Sequence, residues 1–266
     1  MRALLVGVLA CVALSGCRPD TVHVAFRPPP GAHYAYRVVV ESTTVTSLDG
    51  RPDRRSHSRF VLLADHVVLA STETTTTVRV TLKSTGTTSR TLVVRLDRAA
   101  QLVEVERIEG VSTDVLGQLG LSEIFPAAVG APPDRALRPG ARWTIDEPLR
   151  LADRGEARLR GFGRLSELGV VRGRDVATVE SDVRLPVARD RATAGGSRDG
   201  SLVELDGTQT TRTRTTHALA DGAVESASSH SRAEFALRLR PPVGQPGPEL
   251  GGTLAVQVTS RTTRLR

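Results

Sequence analysis

The chain has 266 residues, a formal net charge of +7 and only 3% aromatic residues. Its two cysteines, Cys11 and Cys17, both stand near the N-terminus, which excludes a disulfide framework or a thiolate metal cluster in the body. Of the 36 basic residues only Lys83 is lysine; the arginines are dispersed and often adjoin acids, as in Asp190-Arg191 and Arg198-Asp199, so no basic groove and no base-stacking platform is outlined and no nucleic-acid partner is expected.

The first element is an export signal. Arg2 supplies a positive start, Ala3 to Leu14 form an apolar run too short to span a bilayer, and Leu14-Ser15-Gly16-Cys17 follows directly. This tetrapeptide resembles the lipobox of bacterial lipoproteins, a resemblance confined to the first 17 residues. It implies cleavage after residue 16, acylation of Cys17 and anchoring of the mature chain, by lipid, on the extracytoplasmic side of the cell membrane, or at the outer membrane in a host with two membranes. Loss of Arg2 lowers the net charge to +6, with 35 bases against 29 acids. Residues 17–33 hold Pro19 and the run Pro28-Pro29-Pro30, which predict an extended spacer between membrane and domain.

Period two dominates from there. Tyr34, Tyr36, Val38 and Val40 share one strand face, with Arg37 and Glu41 on the other; Asp49-Gly50 is a hairpin signal. Val78, Val80 and Leu82 alternate with Arg79, Thr81 and Lys83, and Leu92, Val94 and Leu96 with Val93 and Arg95. Half-buried antiparallel strands produce this pattern. Ser112 to Phe125 breaks it: Val115, Leu116, Leu119 and Ile124 fall at helical spacing behind a Ser112 cap, predicting one short helix near 112–125. Residues 126–139 read as a Pro-rich connector, so the body divides into a first β-rich half at 34–125 and a second at 140–266, packed together.

Strands resume at Trp143–Ile145, Leu159–Leu165, Val176–Val187, Leu202–Leu205, Thr208–Leu219, Ala233–Arg240 and Leu254–Arg264, with a turn at Asp221-Gly222 and a loop over Ala192–Gly200. Pro30-Gly31-Ala32-His33-Tyr34 is echoed by Pro139-Gly140-Ala141-Arg142-Trp143, each opening a β-rich half. The fold expected is therefore mainly β: long antiparallel strands in one curved sheet or half-barrel, or in two related β units.

Catalytic signatures are lacking. The six histidines stand nine or more residues apart, no serine sits in a Gly-x-Ser-x-Gly elbow, and Gly161-Phe162-Gly163 lacks the continuation of a phosphate cradle and reads as a strand bend. Glu180 and Asp182 alternate with Val179 and Val183, the pattern of a wet strand face rather than an acid–base pair. A non-catalytic protein without metal or cofactor is expected, with a hydrolase as the remote alternative.

The combination of lipobox, spacer, long strands and few aromatics looks like the LolA- and LprG-type envelope lipoproteins, an architectural resemblance without a diagnostic motif. It implies a curved sheet with acyl chains held on its inner face; here the lining would be Tyr34, Tyr36, Val38, Val78, Val80, Leu92 and Val94, with the 112–125 helix as cover. Two readings stay open. One is an interaction or structural module of the envelope that meets a protein partner, and the other a carrier of lipid or another apolar ligand.

Overall fold

A computed structural model describes residues 20–84, 89–100, 102–109, 130–150, 156–192, 202–241 and 247–265. The expected signal peptide, Cys17, the 112–125 helix and most of the loop before Gly200 lie outside them. Eleven strands follow in chain order: β1 (His33–Leu48), β2 (Arg54–Ser71), β3 (Thr75–Ser84), β4 (Arg90–Asp97), β5 (Leu102–Glu109), β6 (Arg142–Arg150), β7 (Glu156–Val171), β8 (Arg174–Ala192), β9 (Leu202–Ala218), β10 (Val224–Arg240) and β11 (Leu250–Arg264). All pair antiparallel in one sheet, ordered β5-β4-β3-β2-β1-β11-β10-β9-β8-β7-β6. Two meanders thus meet where β1 pairs with β11, and the sheet ends at β5 and β6 without closing into a barrel.

The alternation sorts side chains as anticipated. Tyr34, Tyr36 and Val38 are buried while Arg37 is exposed, and Leu92, Val94 and Leu96 are buried on β4. Most neighbours along the sheet are joined by hairpins, because short polar turns suit successive antiparallel strands. The tightest is Arg172-Gly173, whose φ values of 51° and 76° are those of a type I′ turn, the turn whose twist matches that of the strands. At Asp221-Gly222 the Asp221 carboxylate accepts the Ala223 amide at 2.9 Å and Gly222 adopts φ 71°.

Two expectations change. The segments Leu202–Leu205 and Thr208–Leu219 form the single strand β9, because Asp206 and Gly207 pair with Ala236 and Phe235 without interruption. Gly207 is required there: a Cβ would fall 2.0 Å from the Glu234 carbonyl oxygen. The described part of the expected spacer is also no free tether. Val22, Val24, Ala25, Phe26 and Pro28 are buried, and the segment runs as a strap across one end of the sheet. Val22 pairs with Leu137, Phe26 donates its amide to Arg98, and Arg27 donates to Asp221, at 2.8 Å each. Proline favours the extended backbone there, but the alternation Val22, Val24, Phe26 supplies an apolar face that burial rewards.

The strap joins two cores. Phe26 enters one made by β1–β4 with Ala223, Val224 and Ala227, while Val22 and Val24 enter another made by Leu137, β6, β7 and β8.

Candidate functional site

The seven residues expected to line a cavity do share one face and one cluster. They are buried, none above 6% exposure, in a core cluster that also contains Phe26, Ala223 and Ala227. Two cavities open elsewhere among the described residues, and none of the seven lines either of them.

The end of the sheet that carries the strap is stitched by buried polar groups. Tyr34 donates its hydroxyl to Asp221 at 2.8 Å, and the Arg264 guanidinium lies 4.7 Å over the Tyr34 ring. Arg264 and Arg174 both bind Glu225, which the irregularity between Val224 and Ser226 turns inward. Burial pushes both tyrosine hydroxyls, Tyr34 and Tyr36, far above their ordinary range, and the bond to Asp221 pushes Tyr34 further. Both hydroxyls therefore keep their protons at neutral pH. His66, edge-on to Tyr36 at 4.9 Å, is driven down to about 4 by burial, and burial lowers His217 as well. Both are therefore neutral structural imidazoles at pH 7.

Beside the strap, a cavity of about 420 Å³ is bounded by Glu73, Asp97, Arg98, Asp134, Trp143 and Glu147. Arg98 spans it from below, donating to the carbonyls of Phe26 and Glu73 at 2.7 and 2.9 Å. Among the described residues no three histidines, cysteines or carboxylates converge as a metal-binding group.

The larger opening, about 710 Å³, is a groove on the opposite, outer face, across β6 to β10. Strand register builds it from two rows. One reads Arg142, Arg164, Glu180, Arg214, Ser228; the next reads Phe162, Asp182, Arg212, His230. Five strands at the usual spacing make it about 19 Å long. Its lining sets four arginines against two carboxylates, so its field is positive. Arg164 binds Glu180 at 2.7 Å, Arg212 binds Asp182 at 2.9 Å, and Arg214 bridges Glu180 and Glu167. The Arg164 hydrogen bond holds the Glu180 carboxyl below its usual range.

Phe162 stands 67% exposed in this groove, and the glycines on either side explain how. A Cβ on Gly161 would lie 2.1 Å from the Asp182 carbonyl oxygen, and one on Gly163 would lie 2.2 Å from the Trp143 ring. Both glycines thus serve close approach on the inner side while the residue between them points out. The wet face anticipated for Glu180 and Asp182 is one wall of this groove. Phe162, Arg142, Arg212 and His230 carried no signal of their own; only the register across five strands brings them together.

The chain matches no known protein family and no curated protein in sequence.

Proposed function

We propose that this protein is a membrane-anchored lipoprotein of the extracytoplasmic envelope, held by acyl groups on Cys17, which acts without catalysis as an interaction module. The observation that carries the reading is the outer groove: an exposed aromatic ring framed by paired arginines and carboxylates, on a face opposite the solid core. An apolar anchor inside a polar rim is the anatomy of a protein-binding patch, and the excess of arginine favours an acidic partner.

A photo-crosslinking residue in place of Phe162, in living cells, tests it. One discrete adduct is expected, lost when Arg212→Glu is added and not formed from Arg184 outside the groove. Absence of adducts at 162 would refute partner binding at the groove. The anchor has its own test: Cys17→Ser is expected to release the protein from membranes, and undiminished retention would refute it.

Carriage of lipid is the second reading. What favours it is the inner face beyond the core, where Val256, Val258, Ala255's neighbour Leu254 and Phe235 are only partly covered. Native mass spectrometry after exposure to a host lipid extract decides it. Adducts of acyl-lipid mass, abolished by Val256→Asp, would place the carrier reading in front.

A further inference from the structure

We propose that the strap end of the sheet rests directly on the lipid surface, with Val170, Val171 and Leu265 entering the headgroup layer; this rests on the lipid anchor at Cys17. Asp20, the first described residue, follows Cys17 by three positions, a reach of no more than about 11 Å. The chain enters the fold where Val22 pairs antiparallel with Leu137, which sets Asp20 beside the turn at Pro139 and Gly140 that opens β6. An acyl group on Cys17 therefore holds this end, and no other, at the membrane.

The same end gathers exposed apolar side chains. Of eight large ones exposed among the described residues, five lie there: Leu69, Val103, Val170, Val171 and Leu265. Val170 and Leu265 are more than half exposed, at 55% and 51%. Val171 and Leu265 flank one contact, since Arg172 donates to the Arg264 carbonyl at 3.2 Å. The type I′ turn at Arg172-Gly173 fixes the valine pair at the tip of the β7–β8 hairpin. Apolar side chains at an extremity, with an arginine beside them, suit the boundary between headgroups and acyl chains, where the aliphatic groups leave water and the guanidinium meets phosphate.

Cys11 leaves with the signal peptide and Cys17 is consumed by acylation, so a cysteine introduced into the acylated mature chain is unique. An environment-sensitive fluorophore is placed on Val171→Cys, on Leu265→Cys and, toward the far end of β11, on Thr253→Cys. Each protein is added to vesicles of phosphatidylethanolamine and phosphatidylglycerol. The first two labels are expected to shift blue and to be quenched by lipids spin-labelled near the headgroup, and the third to do neither. Water-like emission at 171 and 265 on protein that sediments with the vesicles would overturn the docking, and quenching at 253 alone would reverse the orientation. Sedimentation undiminished in Cys17→Ser would instead overturn the anchor itself.

Discussion

Gly31 and Gly140 occupy the same structural position in the two meanders, with φ of 82° and 83°. Each donates its amide to a strand neighbour, Gly31 to Val68 at 2.9 Å and Gly140 to Leu165 at 2.7 Å. Val68 and Leu165 then return their own amides to Ala32 and Ala141, and each is followed by a register shift, at Val68/Ala70 and Leu165/Glu167. The five-residue echo in the sequence thus marks one hydrogen-bonded device used twice, with Tyr34 and Trp143 as the aromatic that follows it.

Equivalent positions predict equivalent costs. Nothing lies within 4 Å of a Cβ at Gly31 or Gly140, so Gly31→Ala and Gly140→Ala meet only the left-handed backbone, about 1–2 kcal/mol each. Gly222→Ala adds a clash with the Ala25 carbonyl oxygen at 2.1 Å and is expected to cost more than either. Urea midpoints of the three variants rank them.

The strap is a structural part of the body. Truncating its buried ring, Phe26→Ala, is expected to cost about 3–5 kcal/mol and to make the chain susceptible to protease before His33. A variant as stable and as resistant as the parent would show the strap to be dispensable.

Breaking the buried ion pair leaves Arg264 without the Glu225 charge. Glu225→Gln is expected to lower stability by about 3–5 kcal/mol, and a double change, Glu225→Leu with Arg264→Met, to recover part of it. Denaturant titration of both variants gives the comparison.

Acid weakens the fold through His66. Its folded-state value of about 4 lies below the unfolded value of 6.5, so the unfolded chain takes up the proton first. The contribution is intact above pH 6.5, shrinks as pH falls, and is gone below pH 4, in total about 3 kcal/mol for a shift of this size. The cause is burial, opposed by the nearby Asp65 charge and reinforced by His33. Stability measured against pH is expected to flatten over that window in His66→Leu.

Phe162→Ala removes an exposed ring and is expected to move stability by less than about 0.5 kcal/mol while abolishing capture of the groove's partner. A large loss of stability would mean that the ring serves the fold.

Much of this architecture is visible one strand at a time. Alternation in 34–40, 78–82 and 92–96 reports which side is buried, and Asp49-Gly50 and Asp221-Gly222 report the reversals. Whether that buried side encloses space is a different question. It depends on Phe26, Ala223 and Ala227 arriving from elsewhere in the chain, which no local period reveals. The strap is hard to see in the sequence because three prolines stand beside the period-two spacing of Val22, Val24 and Phe26. The groove is further from view, since its two rows exist only once five strands adopt their register.

The seam between β1 and β11 joins the first strand to the last. A ribosome that has made everything up to Arg240 has made ten of the described strands but not the one that pairs the two halves edge to edge. Only the final stretch, Leu250–Arg264, satisfies the open edges of β1 and β10 together, at a sequence separation that makes closure slow. A premature stop there would open a gap in the middle of the sheet rather than fray an edge, and would leave two unpaired strands ready to join other chains.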